Sequence, residues 1–66
     1  MFTAEERFYH SICELEYAEN YDGNEEIFEK AIDVLKTRLQ KKDFSEFDDD
    51  EREALEGAFS LIHEEQ

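Results

Sequence analysis

The spacing of apolar residues along the chain predicts helices. In the first segment Phe8, Ile12 and Leu15 recur at intervals of four and three residues, which places all three on one face of a helix. Thr3 precedes this segment and Glu6 follows Thr3 by three positions, which is the sequence pattern of a capping box at a helix start. We therefore expect helix one to begin just after Thr3 and to turn its apolar face to the core.

A polar break follows helix one, between Asn20 and Asn24. Gly23 within it tolerates a left-handed backbone, and an Asn or Asp side chain at this point is expected to cap the next helix. The second helix carries a broad apolar stripe, which is typical of a helix that contacts two neighbours. Its members are Ile27, Phe28, Ala31, Ile32, Val34, Leu35 and Leu39. Helix two is therefore predicted to be the central element.

The second connection contains Phe44 and Phe47, two aromatic residues that we expect to cover the core. Helix three then presents an inward-facing set of residues at helical spacing. This set is Ala54, Leu55, Ala58, Phe59 and Ile62. Gly57 interrupts the helix at a cost of about 1 kcal/mol relative to Ala. Gly57 points away from the side of Leu55. The remaining explanation for a glycine here is that the helix approaches another surface closely at this position.

Together these patterns predict an all-α fold, a small three-helix bundle formed by a single domain over residues 1–66. The helices are expected at residues 4–19, 25–41 and 49–63. No stretch of five or more residues alternates apolar and polar positions, which argues against strands. Short connections make antiparallel packing of successive helices the expected arrangement.

Cysteine usage and the first residues indicate a cellular setting. Cys13 is the only cysteine, so no disulfide within the chain can stabilise the fold, which favours a reducing compartment. The first six residues lack the basic start and the apolar run of a signal peptide, and no apolar stretch approaches the ~18 residues of a membrane span. We expect a cytoplasmic protein without a membrane anchor.

Net charge is the most prominent feature of the composition. Twenty acidic residues against seven basic ones give a formal charge of −13. A charge of this size repels nucleic acids and anionic lipids, and it attracts basic protein surfaces. Four of the seven bases lie between Lys36 and Lys42, near the end of helix two, where they complement the helix dipole. This basic cluster could pair with the protein's own acids or favour a head-to-tail dimer.

The acids form two runs along the chain. From Glu14 to Glu29 there are seven acids and no base, and from Asp43 to Glu56 there are eight acids and one base, Arg52. Because residues four apart on a helix are separated by ~6 Å along its axis, such runs produce rows of regularly spaced anions. The acids predicted to contact a partner are Glu14, Glu16, Glu19, Asp22, Glu25, Glu26, Glu29, Asp33, Glu46, Asp48, Asp49, Asp50, Glu53 and Glu56.

Tyr9, Cys13, Tyr17 and Tyr21 recur at every fourth position of the first segment, on a face roughly opposite the apolar stripe of Phe8. Two explanations remain open. In the first, the pattern is structural, because helix one is covered on both sides or Tyr21 belongs to the turn. Alternatively, Tyr9, Tyr17 and Tyr21 form an aromatic surface for a partner or a second copy of the chain, because tyrosine is enriched at interfaces.

Residue patterns for metal binding and catalysis do not occur in this sequence. Two acidic loops resemble an EF-hand, but one has Glu25 at the glycine position and the other has Arg52 at a ligand position. His10 and Cys13 lie three residues apart, yet a transition-metal site needs further ligands and only His63 remains. A catalytic thiol needs an electropositive setting, and the surroundings of Cys13 are acidic. We expect no enzymatic activity, no metal and no cofactor.

In size and acidity the chain resembles the small phage-encoded or mobile-element inhibitors that imitate DNA and disable restriction, CRISPR, glycosylase or histone-like proteins. The resemblance is compositional and rests on no motif. It implies a basic, nucleic-acid-binding protein as the partner, with no direct contact with nucleic acid or membrane. The alternatives are docking to another kind of basic partner, an adaptor or homodimer that uses the tyrosines, a solvated surface that maintains solubility, and adaptation to high salt.

Overall fold

Three helices form the fold in the computed structural model, which describes residues 2–64. They are α1 (Ala4–Glu16), α2 (Glu25–Lys41) and α3 (Asp49–Glu64), and no strand occurs within the described residues. Helix α2 packs against both α1 and α3. The predicted all-α three-helix fold is confirmed, and so is the central position of the second helix.

Helix α1 begins where the sequence predicts and ends earlier. Thr3 Oγ1 accepts a hydrogen bond from the backbone N–H of Glu6 at 3.2 Å, and Glu6 Oε1 accepts one from the backbone N–H of Thr3 at 3.4 Å, which completes the capping box. The expected end at residue 19 is wrong, because Tyr17 leaves the helical backbone (φ −107°, ψ 17°). The last turn of α1 contains no base, and acids such as Glu14 and Glu16 oppose the dipole at a helix C-terminus.

The connection between α1 and α2 is held by asparagine side chains. Gly23 has a φ of 94°, which confirms the left-handed backbone expected there. Asn24 precedes α2, but the expectation that its side chain caps the helix is wrong, because its side chain accepts no hydrogen bond from the first turn of α2. Asn24 Nδ2 donates to the backbone oxygen of Asn20 at 2.9 Å. Asn20 Nδ2 in turn donates to the backbone oxygen of Leu61 at 3.1 Å. This bond ties the connection to the end of α3.

The core lies along α2, between its two neighbours. Its buried residues are Ile12, Leu15, Phe28, Ala31, Ile32, Leu35 and Ala58. Phe28 and Leu15 are its largest fully buried side chains, and the ring of Tyr21 stacks on Phe28 at a centroid distance of 5.7 Å. Ile27 was predicted to face inward, but it is 40% exposed because it lies at the edge of the stripe, beside α3.

Gly57 lies opposite Ile27. A Cβ atom built at Gly57 would lie 3.8 Å from Cγ2 of Ile27, which is an ordinary van der Waals distance. The two helices are therefore close at this point, but their separation leaves room for a methyl group. The predicted close approach does not by itself require glycine.

The connection between α2 and α3 places its two aromatic rings on α1. Phe44 meets Phe8 edge to face at a centroid distance of 5.2 Å, and Phe47 stacks on Phe8 at 5.7 Å. Phe47 packs against the core, as expected, whereas Phe44 stays 39% exposed and packs on Phe8.

Candidate functional site

The first acidic run occupies the last turn of α1, the connection and the first turns of α2. We call residues 14–29 the acidic segment. All seven of its acids are exposed. They are Glu14, Glu16, Glu19, Asp22, Glu25, Glu26 and Glu29. A hydrogen bond from Asn20 to Leu61 and the stacking of Tyr21 on Phe28 hold the backbone to which these carboxylates are attached. Asp33, which was predicted to extend the row, is exposed on α2 as well.

Few carboxylates of the acidic segment are used inside the protein. Glu16 Oε2 lies 3.6 Å from Nζ of Lys36, and both side chains are largely exposed, so this pair contributes little to stability. The hydroxyl of Tyr21 donates to Glu29 Oε1 at 3.4 Å. Glu25 Oε2 accepts a hydrogen bond from the backbone N–H of Gly23 at 2.7 Å. The other four acids of the segment have no ion-pair or side-chain hydrogen-bond partner within residues 2–64. These are Glu14, Glu19, Asp22 and Glu26. Their charges face solvent and are available to a partner.

The second acidic run differs, because some of its acids stabilise the fold. Asp48 was predicted to contact a partner, but its Oδ1 accepts a hydrogen bond from the backbone N–H of Glu51 at 2.8 Å and thereby caps the start of α3. Asp43 Oδ1 accepts hydrogen bonds from the backbone N–H and the hydroxyl of Ser45, at 3.2 and 2.7 Å. Every acid of this run except the half-buried Glu51 is exposed. Those without an ion-pair or side-chain hydrogen-bond partner among residues 2–64 are Glu46, Asp49, Asp50, Glu53 and Glu56.

Arg38 is the buried charged residue of the described chain, at 8% exposure, and the sequence analysis did not single it out. Its Nε and Nη2 donate to the two carboxylate oxygens of Glu51, at 3.0 and 2.6 Å. Nη1 donates to the backbone oxygens of Asp43 and Ser45 and to the Ser45 hydroxyl, while Nη2 also donates to the backbone oxygen of Glu46. One guanidinium therefore joins α2, the second connection and α3.

The position of Arg38 was visible in the helical register. Arg38 follows Ala31 and Leu35 at intervals of seven and three residues, so it shares their apolar face. Arg38 also belongs to the basic cluster from Lys36 to Lys42. The prediction that this cluster pairs with the protein's own acids is confirmed for Arg38 and, across an exposed contact with α1, for Lys36.

The contacts of Arg38 shift the pKa values of its partners. Its hydrogen bonds lower the pKa of Glu51 from 4.5 to about 2, with the backbone N–H of Asp48 acting in the same direction and burial opposing both. Hydrogen bonds from Ser45 lower the pKa of Asp43, and those to Glu51 raise the pKa of Arg38. This group of residues therefore stays ionised at neutral pH.

The four residues of the predicted tyrosine face separate in the structure. Tyr9 is 57% exposed, and with Cys13 and Leu39 it lines an open groove of about 400 Å³ between α1 and α2, which we call the Tyr9 groove. Tyr17 is 83% exposed at the end of α1. Tyr21 belongs to the connection and packs on Phe28, with a pKa raised by burial and then by Glu29. The turn therefore accounts for Tyr21, and it does not share a face with Tyr9.

A second open groove, of about 580 Å³, lies between the end of α1 and the end of α3. We call it the Tyr17 groove. Its lining residues are Glu14, Tyr17, Ala18, Glu19, Asn20, Ile62 and His63. It thus combines an exposed aromatic ring and two carboxylates of the acidic segment with the apolar side chains of Ala18, in the connection, and Ile62, in α3.

The residues weighed as metal ligands do not gather into a metal site in the described part of the chain. Within residues 2–64 no three His, Cys, Asp or Glu side chains converge as a metal site would require. The ring of His10 lies against Phe2 at a centroid distance of 4.8 Å, and Cys13 is exposed. None of the three helices, over the part of each that the structure describes, has both the length and the hydropathy to cross a bilayer.

Comparison with known proteins identifies no relative of this chain. No protein-family model, curated protein or solved structure matches the chain. What this protein does is therefore inferred from its own side chains, and the unpaired acids of residues 14–29 and the rings of Tyr9 and Tyr17 are among its exposed groups with binding chemistry.

Proposed function

We propose that this protein is a small acidic binding module that occupies the basic groove of a nucleic-acid-binding protein and so competes with nucleic acid. The observation that carries the proposal is the acidic segment, which presents seven exposed acids and no base on a backbone held by Asn20 and Tyr21. A groove that binds phosphates is lined with Lys and Arg, and ordered carboxylates can neutralise the same side chains.

Three physical effects would favour binding. The net charge of −13 steers the protein toward basic surfaces and raises the association rate at low salt. Contact between carboxylates and the groove releases the counterions that each surface holds. Because the backbone of the segment is already held in place, little conformational entropy is lost on binding beyond that of the acidic side chains.

This function corresponds to an inhibitor of the anti-defence type, encoded by a phage or a mobile element and active in the cytoplasm of its host. In this proposal the protein makes no direct contact with nucleic acid or membrane, catalyses no reaction and holds no cofactor. The partner contacts are proposed for the acidic segment first, since acids of the second run such as Asp48 are used in capping α3.

An adaptor or homodimer is the second candidate, and the Tyr9 groove favours it. Tyr9 is exposed beside Ile12 and Leu39, so an apolar patch with a polar tip is available between α1 and α2. Binding through this patch should depend on the tyrosine ring and change little with salt. Binding through the acidic segment should show the opposite behaviour.

The test is affinity capture with the 66-residue chain as bait, from a lysate of its native host at low salt, with elution by a salt gradient and, separately, by duplex DNA. The proposal predicts that nucleic-acid-binding proteins are enriched and that DNA releases them. A Tyr9→Ala bait should recover the same proteins. Recovery only of proteins that resist both salt and DNA, with loss on the Tyr9→Ala bait, would instead support the adaptor.

A further inference from the structure

The Tyr17 groove offers more than charge. The ring of Tyr17 is 83% exposed, so its large apolar face and polar tip are available for contact with a partner. Glu14 precedes Tyr17 in the sequence, Glu19 follows it, and both line the groove. Neither has an ion-pair partner in the described part of the chain. Ile62 adds an apolar side chain from α3.

Asn20 gives the groove a second polar feature. Its Nδ2 donates to the backbone oxygen of Leu61, while its Oδ1 is buried and accepts no hydrogen bond from residues 2–64. Buried polar atoms are paired in the large majority of cases. Because this acceptor is closed to solvent, the case for a guest with N–H donors rests on the exposed carboxylates of Glu14 and Glu19 beside Tyr17.

We propose that the Tyr17 groove receives an arginine side chain of the basic partner. A guanidinium stacks on an aromatic face, pairs with carboxylates in a forked geometry and carries five N–H donors. Tyr17 supplies the face, Glu14 and Glu19 supply the carboxylates, and Ala18 and Ile62 lie beside the aliphatic stem. This inference rests on the proposed function, because it names the side chain with which the partner enters the acidic segment.

Arginine fits this groove better than lysine for a geometric reason. The ammonium group of lysine is a compact, strongly hydrated point charge, so it gains little from a ring face and cannot reach two separated carboxylates at once. A planar guanidinium can lie on the ring of Tyr17 while its edges face Glu14 and Glu19. The structure therefore predicts a preference for arginine, which charge alone would not produce.

The test uses N-acetylarginine amide and N-acetyllysine amide as probes, titrated at low salt into the isotope-labelled full chain. Backbone amide shifts should change saturably at residues 14–20 and 61–63, with arginine bound more tightly than lysine. Tyr17→Leu should weaken arginine binding about two- to fivefold, as expected for loss of an exposed cation–π contact, while Tyr17→Phe keeps it. Tyr9→Leu, at the other groove, is the matched control and should bind arginine as the wild type does.

Three results of the titration would overturn the inference. They are shifts spread evenly over both acidic runs without saturation, equal binding of lysine, and unchanged arginine binding by Tyr17→Leu with its helicity intact. The capture experiment distinguishes failure of the arginine site from failure of the proposed function. Capture of DNA-displaced proteins by the Tyr17→Leu bait at wild-type levels would remove the arginine site alone, whereas saturable arginine binding without any such capture would remove the proposed function.

Discussion

Replacing Gly57 with alanine should stabilise the protein. Gly57 lies inside α3 and is exposed, and it is not among the positive-φ residues of the described chain. The added Cβ would meet only Cγ2 of Ile27 within 4 Å, at 3.8 Å, so no atom has to move. The substitution therefore changes helix propensity and leaves the packing intact.

The magnitude follows from two contributions. Alanine is favoured over glycine in a helix interior by about 1 kcal/mol. The new contact with Ile27 adds about 0.1–0.2 kcal/mol per atom pair, so helix propensity dominates. For a domain of this size, about 1 kcal/mol corresponds to a rise in Tm of roughly 4–8 °C.

Urea unfolding followed by far-UV circular dichroism measures the change, and Gly23 supplies a matched control. Gly23 has a φ of 94°, where an L-residue costs about 1–2 kcal/mol, so Gly23→Ala should destabilise by about that amount. The two alanine substitutions should therefore shift the urea midpoint in opposite directions. A lower midpoint for Gly57→Ala would show that α3 and α2 are closer at this point than described and would refute the reasoning.

Three further predictions concern the charged groups. Arg38→Lys keeps the positive charge but loses the forked hydrogen bonds to Glu51 and the hydrogen bonds to backbone carbonyls. The urea midpoint should therefore fall, and amide hydrogen exchange at the start of α3 should become faster. Unchanged exchange would contradict this prediction. The ionised form of Glu51 stabilises the fold fully above its unfolded pKa of 4.5, and this stabilisation is lost as pH falls through about 2. The difference in unfolding free energy between the wild type and Glu51→Gln should therefore shrink across that window, and a constant difference would count against it. Raising NaCl from low to moderate concentration should raise Tm, because salt screens repulsion within a chain of charge −13, whereas a falling Tm would mean that attractive ion pairs dominate.

Local signals explain which helix ends were predictable. The capping box of Thr3 and Glu6 involves residues three positions apart, and the range 25–41 expected for helix two coincides with α2. The end of α1 was misplaced by three residues, because apolar spacing says nothing about acids that oppose the dipole at a C-terminus. Periodicity thus identified the helices, while capping and charge decided where each one stops.

The candidate site was predictable only in part, because tertiary contacts decide which charged side chains pair within the protein. Exposure of acids such as Glu14 and Glu26 follows from residue type. The use of Glu51 and Asp43 by Arg38 depends on a connection whose conformation no local pattern encodes. The Tyr17 groove, likewise, exists only because Ile62 of α3 is brought beside the end of α1.

The most direct test of the central claim compares two baits with equal loss of charge. One carries Glu14→Gln, Glu19→Gln and Glu26→Gln in the acidic segment, and the other carries Glu46→Gln, Glu53→Gln and Glu56→Gln in the second run. All six acids are exposed, and none has an ion-pair partner among the described residues. The amount of DNA-displaceable protein retained at low salt is the measurement. The first bait should lose most of this protein and the second should keep most of it, while equal losses would show that net charge alone, and not the acidic segment, is responsible.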